Sequence, residues 1–391
     1  MDIEREKRIL ATWLLEEARF STDGVAFVEE LGRRFVASGL PLWRLRVAQK
    51  VANPLITAWG VIWHSDDKPT TEYIVPTEWL STSIWIGSPF QYVTEHREVF
   101  RRRLVDLDPI DDHTVLHEIA ADGGTDFLAL PLEYADGTIQ GMSVVTSQAG
   151  GFSDDQIALV SQMKHSIASA MEPMAIRRSM NSLLKAYLGV GPSDAVIGGS
   201  KRRGERSNLD AVVMFSDLRG FTNKSANWSD ESLLEVLNDY FGIVVDAVHS
   251  HNGDVLKFLG DGVLAVFPIE DKALTMRRSN DALEAAWSAR QALASYNEER
   301  MSSGLETIDF GTALHLGEVT YGNVGSPGRL DFTVIGKTVN IASRMEELTK
   351  TLHHPILCTR PVAENVTCDL VSLGEYPIRG ISETQEIFAP H

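Results

Sequence analysis

Apolar positions recur three and four apart at both ends of the first 190 residues. Ile9, Leu10, Trp13 and Leu14 share one helical face, and Val25, Phe27, Val28 and Leu31 share another. Between the helical stretches the pattern shortens to compact apolar runs at Ala58–Trp63 and Tyr73–Val75. Phe127–Leu132 and Ile139–Thr146 flank Asp136-Gly137, which predicts a hairpin with a longer loop. Ser153 then opens a helix with Asp154 and Asp155 in its first turn, where they complement the macrodipole. Along it Val160, Met163, Ile167, Ala170 and Met174 alternate three and four apart. That stripe suits either packing on its own domain or a two-helix seam. The spacing continues through Met180, Leu183 and Tyr187, with Pro173 expected to kink or break the helix. Residues 189–208 are rich in Gly, Ser and Arg and are expected to be a loop.

A second patterned region begins at Leu209. Ala211–Phe215 is an apolar strand, and Leu233, Leu237, Tyr240, Phe241, Val244 and Val248 form a helical stripe after it. Val255–Leu259 and Val263–Phe267 are two strands joined by Gly260-Asp261-Gly262, a hairpin with an acidic tip. The expected organisation is an α+β domain over residues 1–172, a helical connector and linker over 173–208, and a second α+β domain over 209–391.

Composition narrows the function classes. The chain has 391 residues with 43% apolar and 23% charged, ordinary for globular domains. The net charge of −18 argues against nucleic-acid binding and against adhesion to anionic membranes, both of which need clustered cations. Six of the eight Trp lie before residue 86, so the two halves differ. Both Cys lie beyond residue 350, at Cys358 and Cys368, which excludes a disulfide scaffold and a thioether-linked chromophore in the first half. Residues 1–8 are mostly charged, and no window reaches membrane-spanning length, so a soluble, cytoplasmic protein is expected.

The chemistry lies in the second region. Asp217 ends one strand and Asp261 sits at a hairpin tip. If the strands are neighbours, both carboxylates meet at one edge, and two anions with few His or Cys nearby call for a hard cation such as Mg²⁺ or Mn²⁺. Taken alone, each Asp is equally a turn former.

Three runs in order change that balance. Phe-Ser-Asp-Leu-Arg-Gly-Phe-Thr (215–222), Lys-Phe-Leu-Gly-Asp-Gly (257–262) and Val-Ile-Gly-Lys-Thr-Val-Asn-Ile-Ala-Ser-Arg (334–344) resemble the class III nucleotidyl cyclases over residues 209–388. The resemblance implies a ferredoxin-like βαββαβ core with extra strands and active sites built across a head-to-tail homodimer. It implies that Asp217 and Asp261 hold two metal ions, Mg²⁺ or Mn²⁺, with the Leu218 carbonyl adding a ligand. Backbone N–H groups at Phe221 and Thr222 would receive phosphate oxygens. Lys257 stands where adenylate cyclases carry Lys and guanylate cyclases Glu; it can only donate, which suits adenine N1. Thr333 holds the second base-reading position, or is a plain strand residue. Asn340 would orient the ribose and Arg344 stabilise charge on the reacting phosphates. One departure stands out: Ile378-Arg379-Gly380-Ile381 lacks a lysine that relatives use on the terminal phosphates, leaving Arg379 or Lys337 as candidate substitutes.

The implied function is adenylate cyclase, ATP to 3′,5′-cyclic AMP and pyrophosphate. The rivals are a non-catalytic nucleotide-binding sensor or regulatory subunit and a guanylate cyclase. The first region resembles a GAF sensor domain through Phe127–Leu132, Gly141–Thr146 and Phe152-Ser153-Asp154-Asp155-Gln156, with a PAS-like domain as the alternative. A cyclic nucleotide, another small molecule or no ligand are the open readings for what it binds.

Overall fold

A computed structural model describes residues 2–66, 68–199, 206–326 and 328–391. The chain divides into two compact units, Met1–Ala186 and Tyr187–His391. No helix among the described residues is long and apolar enough to cross a membrane.

The first unit runs α1 (Ile3–Glu16), α2 (Gly24–Ala37), β1 (Arg44–Lys50), β2 (Ile56–His64), β3 (Thr71–Pro76), α3 (Pro89–His96), β4 (Phe100–Arg103), α4 (Thr114–Ala121), β5 (Asp126–Glu133), β6 (Ile139–Thr146) and α5 (Asp154–Leu188). Its six strands form one sheet in the order β3-β2-β1-β6-β5-β4, every pair antiparallel. The β5–β6 hairpin forms as the alternation predicts, and the Asp136 carboxylate accepts from the Thr138 N–H at 2.9 Å to close its loop. Helices α1, α2 and α5 bury one face of the sheet through Leu14, Phe35, Trp59, Met163 and Ile167. A smaller core of Trp43, Val93, Leu116 and Phe127 covers the other. Because both faces are covered, β6 is buried along its whole length.

The structure decides the open choice for the stripe and corrects two other expectations. Val160, Met163, Ile167, Ala170 and Met174 are buried against their own sheet, so that stripe is used within the unit. Pro173 does not end the helix; α5 continues to Leu188, with Met171, Met174 and Ala175 buried on either side of the missing N–H. Ile176 and Met180 are 61% and 51% exposed, so a free apolar edge begins only after Pro173. Residues 189–208 are not all loop: Gly189, at φ +85°, ends α5, and α6 (Val190–Gly198) follows with Pro192 in its first turn, where no N–H is needed. The expected features at residues 200–205 lie outside the described residues.

The second unit continues with β7 (Arg206–Leu218), α7 (Phe221–Asn227), α8 (Asp230–Ser250), β8 (Asp254–Leu259), β9 (Gly262–Ile269), α9 (Thr275–Ser302), β10 (Phe310–Ser326), β11 (Arg329–Ile335), α10 (Lys337–Glu346), α11 (Leu348–Leu352), β12 (Ile356–Thr359), α12 (Arg360–Ala363), β13 (Leu370–Tyr376) and β14 (Gln385–Pro390). The β7-α8-β8-β9-α9-β10 segment is a βαββαβ unit with strand order β10-β7-β9-β8, the ferredoxin-like arrangement. Strands β12, β14 and β13 extend the sheet beyond β10, and β11 folds back on the far end of β10. Tyr240, Val244 and Val248 of α8 pack with Ala282, Leu283 and Leu293 of α9 against one face. Val236 joins them, whereas Leu237 is only partly buried, a rotation of the stripe that spacing alone leaves open. Helix α10 covers part of the other face, where Ala342 meets Val334, Leu264 and Val266.

The buried Tyr240 hydroxyl donates to Ser216 Oγ at 3.0 Å, one residue before Asp217. Its other neighbour, Thr312 Oγ1, is 3.5 Å from the Ser216 oxygen. Tyr240→Phe should therefore cost the second unit about 1–2 kcal/mol, because a buried hydroxyl loses its main partner. Urea unfolding of the full chain should show the transition of that unit at a lower midpoint with an unchanged slope.

Candidate active site

The apolar run Ala211–Met214 keeps β7 buried in the middle of the sheet, and the chain turns polar at Ser216-Asp217 where the strand ends. Asp217 lies opposite Gly262 of β9. A Cβ on Gly262 would stand 3.3 Å from Asp217 Oδ1, so the glycine leaves the carboxylate its room. The turn before it carries Gly260 at φ +67° and places Asp261 beside the end of β7, where the Leu218 N–H approaches the Asp261 carbonyl at 3.4 Å. Strand pairing thus brings the two aspartates of separate motifs to one sheet end.

Their electrostatics fit an anionic pair. Burial and then the Asp261 charge push the Asp217 carboxyl above its ordinary value, opposed by Lys350, whose Nζ is 3.5 Å from Asp217 Oδ2. A third carboxyl lies behind it. Glu346 is 3% exposed, and burial together with the Asp217 charge pushes its pKa up to about 7. Thr349 Oγ1 donates to Glu346 Oε1 at 3.2 Å and to its carbonyl at 2.6 Å. Among the described residues no group of three or more His, Cys, Asp or Glu side chains is arranged to hold a metal ion. The pair plus the Leu218 carbonyl is nonetheless an all-oxygen donor set whose mutual repulsion a hard cation would relieve.

The base-reading candidates form a second group. Lys257 of β8 is ion-paired with Asp331 of β11. Thr333, two positions along β11 and so on the same face, is 7% exposed, and its hydroxyl lies 3.5 Å from the Val334 carbonyl. Asp331 is the residue that the motif reading passed over; its period-two relation to Thr333 is the signal that could have found it. Glu346 and Lys350 carried no comparable signal, because their relation to Asp217 arises only when α10 and α11 fold back on β10.

The third group sits on α10. Asn340 is exposed and Arg344, one turn later, is half-buried. Arg344 Nη1 donates to the Arg379 carbonyl. A Cβ on Gly380 would come 2.7 Å from that Nη1, so the Arg379-Gly380 run meets Arg344 through backbone and an absent side chain. The Arg379 side chain is exposed, and Lys337 stands 3.7 Å from Glu383. At α7 the helix is opened by Gly220 at φ +70° with no side-chain cap; Phe221 packs on the core and Thr222 is exposed.

Within one chain the aspartate pair and the Thr333 strand are separate. Asp217 pairs with Gly311 near the start of β10, and Thr333 pairs with Gly322 near its end. The structure brings Asp217 to Asp261 and Lys257 to the Thr333 strand.

Residues 205–389 match the family model described as the adenylate and guanylate cyclase catalytic domain. A protein named adenylate cyclase from Anabaena cylindrica is 37% identical over 169 residues, 42% of this chain and 32% of that protein. Adenylate cyclase 1 of Rhizobium meliloti is 26% identical over 406 residues, 96% of this chain and 59% of that protein. The chain therefore spans between about a third and three fifths of these curated relatives. A solved bacterial light-regulated adenylyl cyclase superposes with a TM-score of 0.50 at 18% identity, covering 67% of this chain and 86% of that one, which is a likeness of fold.

Glu346 generates a pH prediction. Its folded-state pKa of about 7 is above the ordinary carboxyl value of 4.5, so the stability it contributes is complete below about pH 4.5 and is lost as pH rises through 7. Glu346→Gln stays neutral. In EDTA it should match the parent near pH 4.5 and exceed it by about 1–3 kcal/mol at pH 8. Urea titrations at both pH values read the difference.

Proposed function

We propose that the protein is an adenylate cyclase that converts ATP to 3′,5′-cyclic AMP and pyrophosphate. The observation that carries this reading is the meeting of Asp217 and Asp261 at one sheet end, inside the segment that matches the cyclase catalytic domain. The two carboxylates and the Leu218 carbonyl would hold Mg²⁺ or Mn²⁺, two ions per site. Bound there, such ions lower the pKa of a hydroxyl and neutralise phosphate charge.

The chain's own residues take the remaining roles. The Lys257 ammonium donates to adenine N1, with Asp331 holding the side chain toward the base, and the Thr333 hydroxyl accepts from the adenine amino group. Asn340 hydrogen-bonds the ribose so that its 3′ oxygen faces the α-phosphorus. The bond from that oxygen to phosphorus forms as pyrophosphate leaves, and the hydroxyl proton passes to water or a substrate phosphate. The Arg344 guanidinium meets the charge that develops on the phosphates. Backbone N–H groups at Phe221 and Thr222 take phosphate oxygens.

Each site draws Asp217 and Asp261 from one chain and Lys257, Thr333, Asn340 and Arg344 from the other, in a homodimer with two equivalent sites. The separation of the two groups along β10 supports this division. The exposed Ile176 and Met180, spaced for a helical seam with Leu183, support α5 as part of the interface. The first unit is a GAF-like sensor whose small-molecule ligand shifts how the catalytic halves meet.

Purified protein with Mg²⁺ or Mn²⁺ should form cyclic AMP from ATP and little cyclic GMP from GTP. Asp217→Ala and Arg344→Ala should each be inactive. Co-expressed, they give a heterodimer with one doubly damaged site and one intact site, so activity should return to about half the parent level per dimer. A dead mixture in which heterodimers are shown to form overturns the shared site. Lys257→Glu should lower the ATP/GTP ratio of kcat/KM at least about tenfold, since it faces adenine N1 with an acceptor; an unchanged ratio removes Lys257 from base recognition.

A further inference from the structure

The first unit contains a cavity of about 550 Å³ between β1, β2, β6 and the segments that carry α3 and α4. That is ample for a ligand of drug-like size. Its floor includes the small side chain of Ala48 of β1, which has Gly60 of β2 and Gly141 of β6 directly opposite it on either side. The rings of Tyr73 and Phe90 lie over those glycines: a Cβ on Gly60 would stand 2.2 Å from Tyr73, and one on Gly141 2.2 Å from Phe90.

Between the two rings sits Arg46, its guanidinium carbon 4.9 Å from the Tyr73 centroid and 4.3 Å from the Phe90 centroid. Arg46 lines the cavity. Its Nε donates to the Tyr73 hydroxyl at 2.6 Å, and no carboxylate pairs with it among the described residues. A guanidinium has five N–H donors, so two NH₂ groups are left to the cavity. Arg44 is two positions away on the same strand face, and its charge adds to that of Arg46. Two carboxylates also reach the walls, Glu95 and Glu118; the first accepts from Gln91 Nε2 at 2.8 Å. The rest of the lining is largely apolar and aromatic, with Trp79, Trp85, Ile84 and Ile139. Trp79 and Ile84 remain 37% and 56% exposed at the mouth, surface that a bound apolar body would cover.

We propose that this cavity binds a small organic monoanion: a flat, ring-bearing apolar body lies against Trp79, Trp85 and Ile139, and its carboxylate takes the free N–H groups of Arg46. A rigid guanidinium fork matches a carboxylate in two parallel hydrogen bonds, and its clamping between rings lowers the entropy lost on binding. Lys50 and His113 also line the cavity and set positive or neutral groups against Glu95 and Glu118, so Arg46 and Lys50 are matched in number by the two carboxylates. This deepens the sensor reading of the first unit, on which it rests, and is independent of the catalytic chemistry.

Calorimetry on the full chain with 1-naphthylacetate and its neutral isostere 1-naphthylacetamide tests it. The acid should bind with a Kd below ~1 mM and at least about tenfold more tightly than the amide. Arg46→Gln should weaken the acid at least about tenfold and bring acid and amide together, while Ala48→Phe, which raises the floor, should abolish both. If Arg46→Gln does not fold by circular dichroism, Arg46→Lys replaces it: the charge remains but the fork is lost, so the preference for the acid should shrink without vanishing. Equal binding of acid and amide by the parent, or acid binding unchanged in the Arg46 variant, overturns the monoanion class and leaves a ligand pocket standing. No heat from either compound up to ~10 mM overturns both.

Discussion

Two carboxylates held beside each other at the end of a buried strand are the constraint around which the second unit is arranged. Asp217 and Asp261 repel, and burial raises the cost of that repulsion, as the upward displacement of the Asp217 carboxyl records. Nothing in the packing of β7 requires an acid at its end. What the fold supplies is rigidity: an apolar strand between β9 and β10, a glycine opposite the carboxylate and a tight turn that presents the second acid. An arrangement that stores like-charge repulsion in a fixed geometry is suited to a counter-charge that comes and goes with a ligand. Lys350 fills part of that need from within the chain, and Glu346 avoids adding to the repulsion by favouring its neutral form.

Lys350 apart, the cations of the motifs take partners of their own. Lys257 answers to Asp331, and Arg344 to the Arg379 carbonyl. Each has a modest partner that holds the side chain extended without burying its charge. Lys350, by contrast, stands beside Asp217, and on the proposed reading Lys257 and Arg344 serve the site of a second copy.

The legible part of the molecule is the part written in local pattern. The β5–β6 hairpin follows from alternation and turn residues, the βαββαβ order is what the cyclase-like motifs imply, and Asp217 meets Asp261 because β7 and β9 are neighbours. The connector was less legible because a three-four stripe does not say what covers it: Met163 and Ile167 go to their own sheet, whereas Ile176 and Met180, in the same helix, stay exposed. Pro173 misled for a related reason. Its cost in a helix is a lost hydrogen bond and a steric push, and buried neighbours on both sides outweigh it. Asp331, Glu346 and Lys350 were invisible because their partners are 74, 129 and 133 residues away in sequence, respectively Lys257 and, for the other two, Asp217. Only the folded register brings them within reach.

The arginines separate into two kinds by the same logic. Arg101 and Arg103 both approach Asp126, which is fully buried, at 2.8 and 3.6 Å. Arg219 and Arg290 share Asp309. In these groups a carboxylate answers the guanidinium, and the pair is complete as folded. Arg344 and Arg46 differ: one leans on a backbone carbonyl, the other is clamped by two rings and a phenol, and neither has a carboxylate among the described residues. A permanently charged group cannot escape an unfavourable site by losing its proton, so its position must be stabilised by packing and dipoles. Holding a guanidinium that way leaves most of its donors and all of its charge for something else. Arg344 lies in the segment that matches the cyclase domain and Arg46 in the wall of the cavity; Arg300, which donates to the Glu306 carbonyl and sits over Trp228 and Tyr296, is held the same way within the packing of α9. The proposed function and the proposed ligand class answer Arg344 with a phosphate and Arg46 with a carboxylate, each supplied from outside the chain.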